Sequence, residues 1–254
     1  MCNLMKNRPA ERARRHLRSI QWKAAKGLKG QIAVLAGIAI VGCMAVALLP
    51  TFPTLKAFIL GFLIAAFLVT IAWLVHVTSG SYGWSLGKLG EEGTAEVVVS
   101  ASRRRRGWRL VNGIYFDTHG DVDHVLVGPG GVFVIESKFQ TSTCRVEGGR
   151  VKGITGREPV SQARNGASKV EKMLKYGRDR FDLNVQPVVV IWGAGRVKMA
   201  EGFQTVDGVL VCDGPEHEKW LQELDVDVLD QEVVEKVEML LMGHVERQVA
   251  VGRV

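Results

Sequence analysis

The chain predicts an α/β protein, a mixed sheet flanked by helices and preceded by a helical hairpin in a membrane. Three observations predict it. Two long apolar stretches without charge lie near the N-terminus, two short alternating apolar runs meet at Gly128-Pro129-Gly130-Gly131, and strand-like and helix-like segments alternate through the remainder of the 254 residues. Strands that alternate with helices build a mixed sheet with helices packed on it.

The first 30 residues hold Lys6, Arg8, Arg12, Arg14, Arg15, Arg18, Lys23, Lys26 and Lys29 against one acid, Glu11. The stretches Ile32 to Leu49 and Ala57 to Val75 follow, each close to the ~20 residues a helix needs to cross a bilayer. Spans over about 32–49 and 57–76 are expected, joined by a tight polar turn from Pro50 to Lys56. Gly37, Gly42, Ala45 and Ala47 in the first, and Gly61, Ala65 and Ala66 in the second, allow close helix approach. Trp73 and His76 suit the interface. A cleaved signal peptide is the competing idea, but ~30 residues before the first span are too long an n-region, and a second span follows at once. The basic N-terminus places both termini on the cytoplasmic side of a multi-pass inner (plasma) membrane protein. It also offers anionic headgroups a partner.

Charge says little about substrate. The chain carries a net +7 from 33 basic and 26 acidic residues, and the first 30 residues alone contribute +8, so residues 31–254 stand at −1. The basic run of Arg103, Arg104, Arg105 and Arg106, with Trp108 and Arg109, is a candidate track for a phosphate backbone. A solvated loop or a second headgroup contact is the alternative. Cys2, Cys43, Cys144 and Cys212 are scattered without metal-finger spacing, which fits a reduced chain without structural zinc. The glycine-rich pieces lack the lysine and serine of a phosphate loop, which excludes an NTPase reading.

Residues 79–215 are expected to form one domain, with the helices of residues 216–254 packed on it. Its centre is the segment Gly120 to Gln140. The turn residues at 128–131 lay a strand from Val122 to Val127 against one from Val132 to Ile135 as a short hairpin. Successive side chains on a strand point to opposite faces, so Glu136 and Lys138 project together, and Asp123 faces Glu136 across the hairpin. Two converging carboxylates make a hard-oxygen site suited to Mg²⁺ or Mn²⁺. A lysine beside them can orient an attacking water and stabilise charge on phosphorus. The competing view is that the acids merely flank a hairpin and Lys138 is a solvated charge. Asp121 shares the face of Asp123 and reads as a strand-entry charge, with an extra metal ligand as the alternative, whereas His124 points away and reads as a core histidine rather than a ligand.

Beyond the hairpin a helix is predicted from Pro159 to about Tyr176, with Ala163, Val170, Met173 and Leu174 inward and Arg164, Lys169, Glu171 and Lys172 outward. Gln186 to Trp192 reads as a strand buried on both faces, Val206 to Val211 as another, and Glu216 to Leu224 and Asp230 to Val249 as amphipathic helices. Val233, Val237, Leu240 and Leu241 form the core stripe of the last.

Four segments, in order, resemble the nuclease-related domain (NERD) family, a branch of the PD-(D/E)XK nuclease superfamily. Gly87-Lys-Leu-Gly90-Glu91, preceded by Trp84, is similar to its opening G-x-x-G-E at a helix start. Arg106-Gly-Trp108-Arg-Leu-Val-Asn112 resembles the lead into its first strand, the hairpin carries D…E-x-K, and Pro159-Val-Ser-Gln162 resembles its P-x-x-Q helix start. The likeness covers roughly residues 84 to 195; Val122, not proline, precedes Asp123. It implies a restriction-endonuclease-like core with an active centre of Asp123, Glu136, Lys138, Glu91 and Gln162, the first two binding the metal. Glu92 is an alternative to Glu91, and Gln162 can also be an ordinary exposed polar group. The function expected is a membrane-anchored cytosolic metal-dependent nuclease, with Mg²⁺ or Mn²⁺ as cofactor and DNA favoured over RNA. A non-catalytic membrane-anchored nucleic-acid-binding or adaptor module is the alternative.

Overall fold

A computed structural model describes residues 11–250 except 49, 51, 105–106, 117–120, 155, 178–179, 198, 225 and 227. Two compact units divide the chain, one of residues Arg14–Ser85 and one that holds Leu86–Val254.

The first unit contains α1 (Glu11–Gly27) from Arg14 onward, α2 (Lys29–Leu48) and α3 (Pro53–Thr78). No residue of α2 or α3 is buried, and both helices are long and apolar enough to cross a membrane. They pair as a hairpin, with Lys56 Nζ donating to Ala47 O at 3.0 Å and Leu63 Cδ1 3.9 Å from where a side chain on Gly42 would begin. The turn is shorter than its sequence suggests. Pro53 sits in the first turn of α3, where its missing N–H costs nothing and its fixed φ already suits a helix, so Thr54, Leu55 and Lys56 join the helix.

From Ser81 the chain continues as α4 (Ser81–Arg104), β1 (Arg109–Tyr115), β2 (Asp121–Gly128), β3 (Gly131–Phe139), β4 (Arg145–Glu147), β5 (Arg150–Lys152) and α5 (Pro159–Tyr176). It ends with β6 (Val185–Trp192), β7 (Phe203–Val206), β8 (Val209–Asp213), α6 (His217–Glu223) and α7 (Gln231–Ala250). Six strands form one sheet in the order β1-β2-β3-β6-β8-β7. The β3–β6 and β6–β8 pairs are parallel and the others antiparallel, which is the mixed sheet the sequence predicts. β4 and β5 make a separate small hairpin that the sequence reading did not anticipate.

Alternation along the strands sorts the core into two sides. Val132 and Val134 of β3 pack with Ala167, Val170 and Leu174 of α5 and with Val234, Val237 and Leu241 of α7. Phe133 and Ile135 pack with Ala95 and Val98 of α4 and with Trp220 of α6. Glu158 caps α5, its carboxylate accepting from Val160 N at 3.2 Å and Ser161 N at 2.7 Å. On α7 the predicted stripe is shifted slightly, since Val237 and Leu241 are buried with Val234 and Val245 while Val233 and Leu240 flank them.

Two sequence readings change. Val206 to Val211 is not one strand: Val206 ends β7 and Val209 opens β8, and between them Asp207 (φ 49°) and Gly208 (φ 75°) take left-handed backbone. Gly90 and Glu91 do not open a helix; they lie within the unbroken α4. The glycines there serve packing, because a side chain on Gly90 would start 3.3 Å from Lys138 C and Phe139 N, and one on Gly93 would start 3.4 Å from the Trp192 ring. At the sheet's edge, Gln248 of α7 clasps the end of β1: its Oε1 accepts from Tyr115 N at 3.1 Å and its Nε2 donates to Tyr115 O.

Candidate active site

The β2–β3 ladder runs in register from Gly128 opposite Gly131 to His124 opposite Ile135 and is not paired beyond. There the Asp123 carboxylate replaces a ladder partner, its Oδ2 accepting from Ser137 N at 2.8 Å. Asp123 is thereby fixed at the point where the two strands part. By alternation along β3, Glu136 and Lys138 project from the side that carries α5, and Ser137 from the side that carries α4. Ser137 Oγ accordingly donates to Thr94 Oγ1 at 2.8 Å, and Trp192 Nε1 donates to the same oxygen at 2.8 Å. Thr94 is fully buried and lies one turn beyond Glu91, so these two bonds hold the Glu91 segment of α4 against β3 and β6.

Lys138 Nζ meets Glu136 Oε1 at 2.7 Å, with side-chain exposures of 19% and 8%. Burial raises the Asp123 pKa well above the ordinary carboxylate range, and the charges of Glu136 and Glu91 raise it further against the counter-pull of Lys138. Burial likewise raises Glu136, opposed by the charge and hydrogen bond of Lys138, while Asp121 adds to the rise. For Lys138, burial favours the neutral amine, but Glu136, Asp123 and Glu91 outweigh it and hold the pKa above normal. Three carboxylates and one cationic amine therefore share one field in a water-poor setting, where charges act strongly on one another.

Of the residues chosen from sequence, Asp123, Glu136, Lys138 and Glu91 come together. Gln162 lies in the first turns of α5 and lines a groove of about 540 Å³ with Asp121, whose charge reaches Glu136. His124 points to the opposite side, is fully buried, and sets its Nδ1 2.7 Å from Asn112 Oδ1. Burial lowers its pKa to about 3.

The basic run is placed differently. Arg103 and Arg104 close α4, about 21 Å along the helix from Gly90 at the rise of an α-helix. Arg105 and Arg106 lie outside the described residues. Arg109 pairs with Val127 at the far end of the β1–β2 ladder, four residues or about 13 Å of strand from Asp123. Its Nε lies 3.3 Å from Glu238 Oε2 in a largely buried pair, which ties β1 to α7 and takes Arg109 out of reach as a phosphate contact.

The sequence reading missed Thr94, Ser137 and Trp192. The available signals were the Gly90 to Gly93 spacing with Thr94 directly after it, and a small hydroxyl residue between Glu136 and Lys138.

A mixed sheet with a parted hairpin that gathers acidic residues around one lysine defines a nuclease-like α/β domain. Residues 86–192 match the family described as Nuclease-related domain, from the second turn of α4 to the last residue of β6. Comparison with curated proteins and with solved structures finds no match.

Proposed function

We propose that this chain is a membrane-anchored, cytosolic, divalent-metal-dependent nuclease that hydrolyses phosphodiester bonds, of DNA in preference to RNA. The observation that carries the reading is the cluster of Asp123 and Glu136 with Lys138 2.7 Å from Glu136, inside a nuclease-related domain.

The donor set fits a hard divalent cation. Its groups are oxygens, and the burial and mutual repulsion that raise Asp123 and Glu136 are relieved by a positive charge between them. Mg²⁺ keeps several waters and is commonly held by one or two carboxylates plus substrate phosphates. Asp123 and Glu136 would hold the ion, which when bound polarises the phosphate and lowers the pKa of a coordinated water. The residues divide the remaining work. Ser137 N–H fixes the Asp123 carboxylate, and Lys138 donates toward the attacking water or the charge gathering on phosphorus. Glu136 and Asp123, with a smaller part from Glu91, keep that amine protonated.

The two apolar helices and the basic N-terminus support the anchor. Nine basic residues lie within the first 30 residues, an even number of spans returns the chain to the same side, and the positive-inside rule makes that side cytoplasmic.

The test is cleavage of supercoiled and linear DNA and of RNA by the full chain in detergent micelles, with Mg²⁺, Mn²⁺ or EDTA. Metal-dependent cutting that is lost in Asp123→Ala and Lys138→Ala is the expected result. Intact nucleic acid under every metal, with binding retained, would instead make the chain a binding module.

A further inference from the structure

Arg103 and Arg104 lie at the wrong end of α4 to guide a substrate to Asp123, and the N-terminal amides of α5 are already capped by Glu158. Neither feature therefore supplies phosphate contacts at the site. The groove of about 540 Å³ along α5 does have the right position. Its wall includes Asp121, which acts electrostatically on Glu136 and also on Lys169, so the groove opens beside the buried acids. Gln162, Asn165, Lys169 and Lys172 line it along one face of α5, opposite the buried Ala163, Ala167 and Val170, and Arg157 stands at its head. From Gln162 to Lys172 the helix advances about 15 Å, enough to run beside more than one phosphate of a strand. Lys169 is half-buried, with its ammonium 5.7 Å from the Phe116 ring centre, which positions that charge. Gln162 adds a carbonyl oxygen that is buried without a hydrogen-bond partner among the described residues.

We propose that this groove is the track for one nucleic-acid strand leaving the acidic centre, its phosphates meeting Arg157, Lys169 and Lys172 while Gln162 and Asn165 contact sugar or base. The inference rests on the nuclease reading for its substrate class. It places binding on side chains beyond the acidic cluster, with no part for the arginine run.

The experiment measures binding of a fluorescent single-stranded DNA to the full chain in detergent micelles with EDTA, over a series of salt concentrations. Each phosphate contact to a single strand contributes about 0.7 to the slope of log affinity against log salt. Lys169→Ala with Lys172→Ala is expected to lower that slope by about 1.4, Lys169→Arg with Lys172→Arg to retain it, and Arg103→Ala with Arg104→Ala to leave it unchanged. An unchanged slope in the lysine pair, or a loss in the arginine pair, overturns the groove, as does failure of the unaltered chain to bind. Metal-dependent cleavage by the unaltered chain alongside an unchanged lysine-pair slope rejects the groove and keeps the nuclease. A lowered slope without any cleavage keeps the groove and rejects the nuclease.

Discussion

Acidification offers a test of how the hairpin beneath the site is built. His124 is fully buried, and its pKa is lowered from 6.5 to about 3. The unfolded chain takes up this proton as pH falls through 6.5, while the folded chain refuses it until about pH 3. Its contribution to stability is therefore complete above pH 6.5 and is lost progressively as pH falls toward 3. Applying linkage between pH 7 and pH 4.5, the loss from this one group comes to about 2 to 3 kcal/mol. Asp123 and Glu136 act with the opposite sign, because their raised pKa values favour the folded state as acid protonates them. The histidine must therefore be isolated by difference. Hydrogen exchange of the β2 and β3 amides in the full chain, corrected for intrinsic rates, reads the free energy of opening at each pH. Compared with His124→Gln, which stays uncharged, the parent is expected to lose an additional 2 to 3 kcal/mol or so of protection over that interval. If parent and variant lose protection in parallel, His124 either titrates normally in the folded state or opens to water locally, and the reasoning fails.

Asp123→Asn removes a charge that is repelled by Glu136 and Glu91 while leaving an oxygen for Ser137 N. The variant is expected to melt a few degrees higher than the parent in EDTA, to lose cleavage, and to gain less from Mg²⁺; thermal melts with and without the ion check this. Lys138→Met strands the buried Glu136, so cleavage should fall roughly 10²- to 10⁴-fold and the domain should melt lower. A melting point equal to the parent's would show that the ion pair contributes nothing net. Thr94→Val leaves the hydroxyl of Ser137 and the indole of Trp192 without their acceptor, at about 1 to 3 kcal/mol for the buried Ser137 hydroxyl and less for the half-buried indole. Thr94→Ser should recover both stability and turnover, and a serine variant as impaired as valine would mean that packing alone fixes this part of α4.

What the sequence made legible was whatever local periodicity controls. The Pro159 to Tyr176 helix has the predicted bounds because proline, an apolar stripe and a following glycine all act within a few turns. The Asp123, Glu136 and Lys138 grouping follows from strand alternation and a two-residue connection. What stayed hidden depends on distant partners. Glycine in α4 looked like a helix start, but its cause is the close approach of β3 and the Trp192 ring, which no local pattern reports. Arg109 looked available for phosphate until Glu238, far along the chain, was placed beside it. The α5 groove was invisible for the same reason, because Asp121 and Lys169 become neighbours only when helix and sheet meet.

The grip of Gln248 on Tyr115 has a consequence for life at a surface. For a domain that works tethered, as proposed, copies share two dimensions and meet far more often than the same number free in solution. An unpaired outer strand is then a standing invitation to pair with a neighbour. One side-chain amide that occupies both the N–H and the carbonyl of Tyr115 blunts that edge where β1 ends. The last helix thus guards the crowd as well as completing the core.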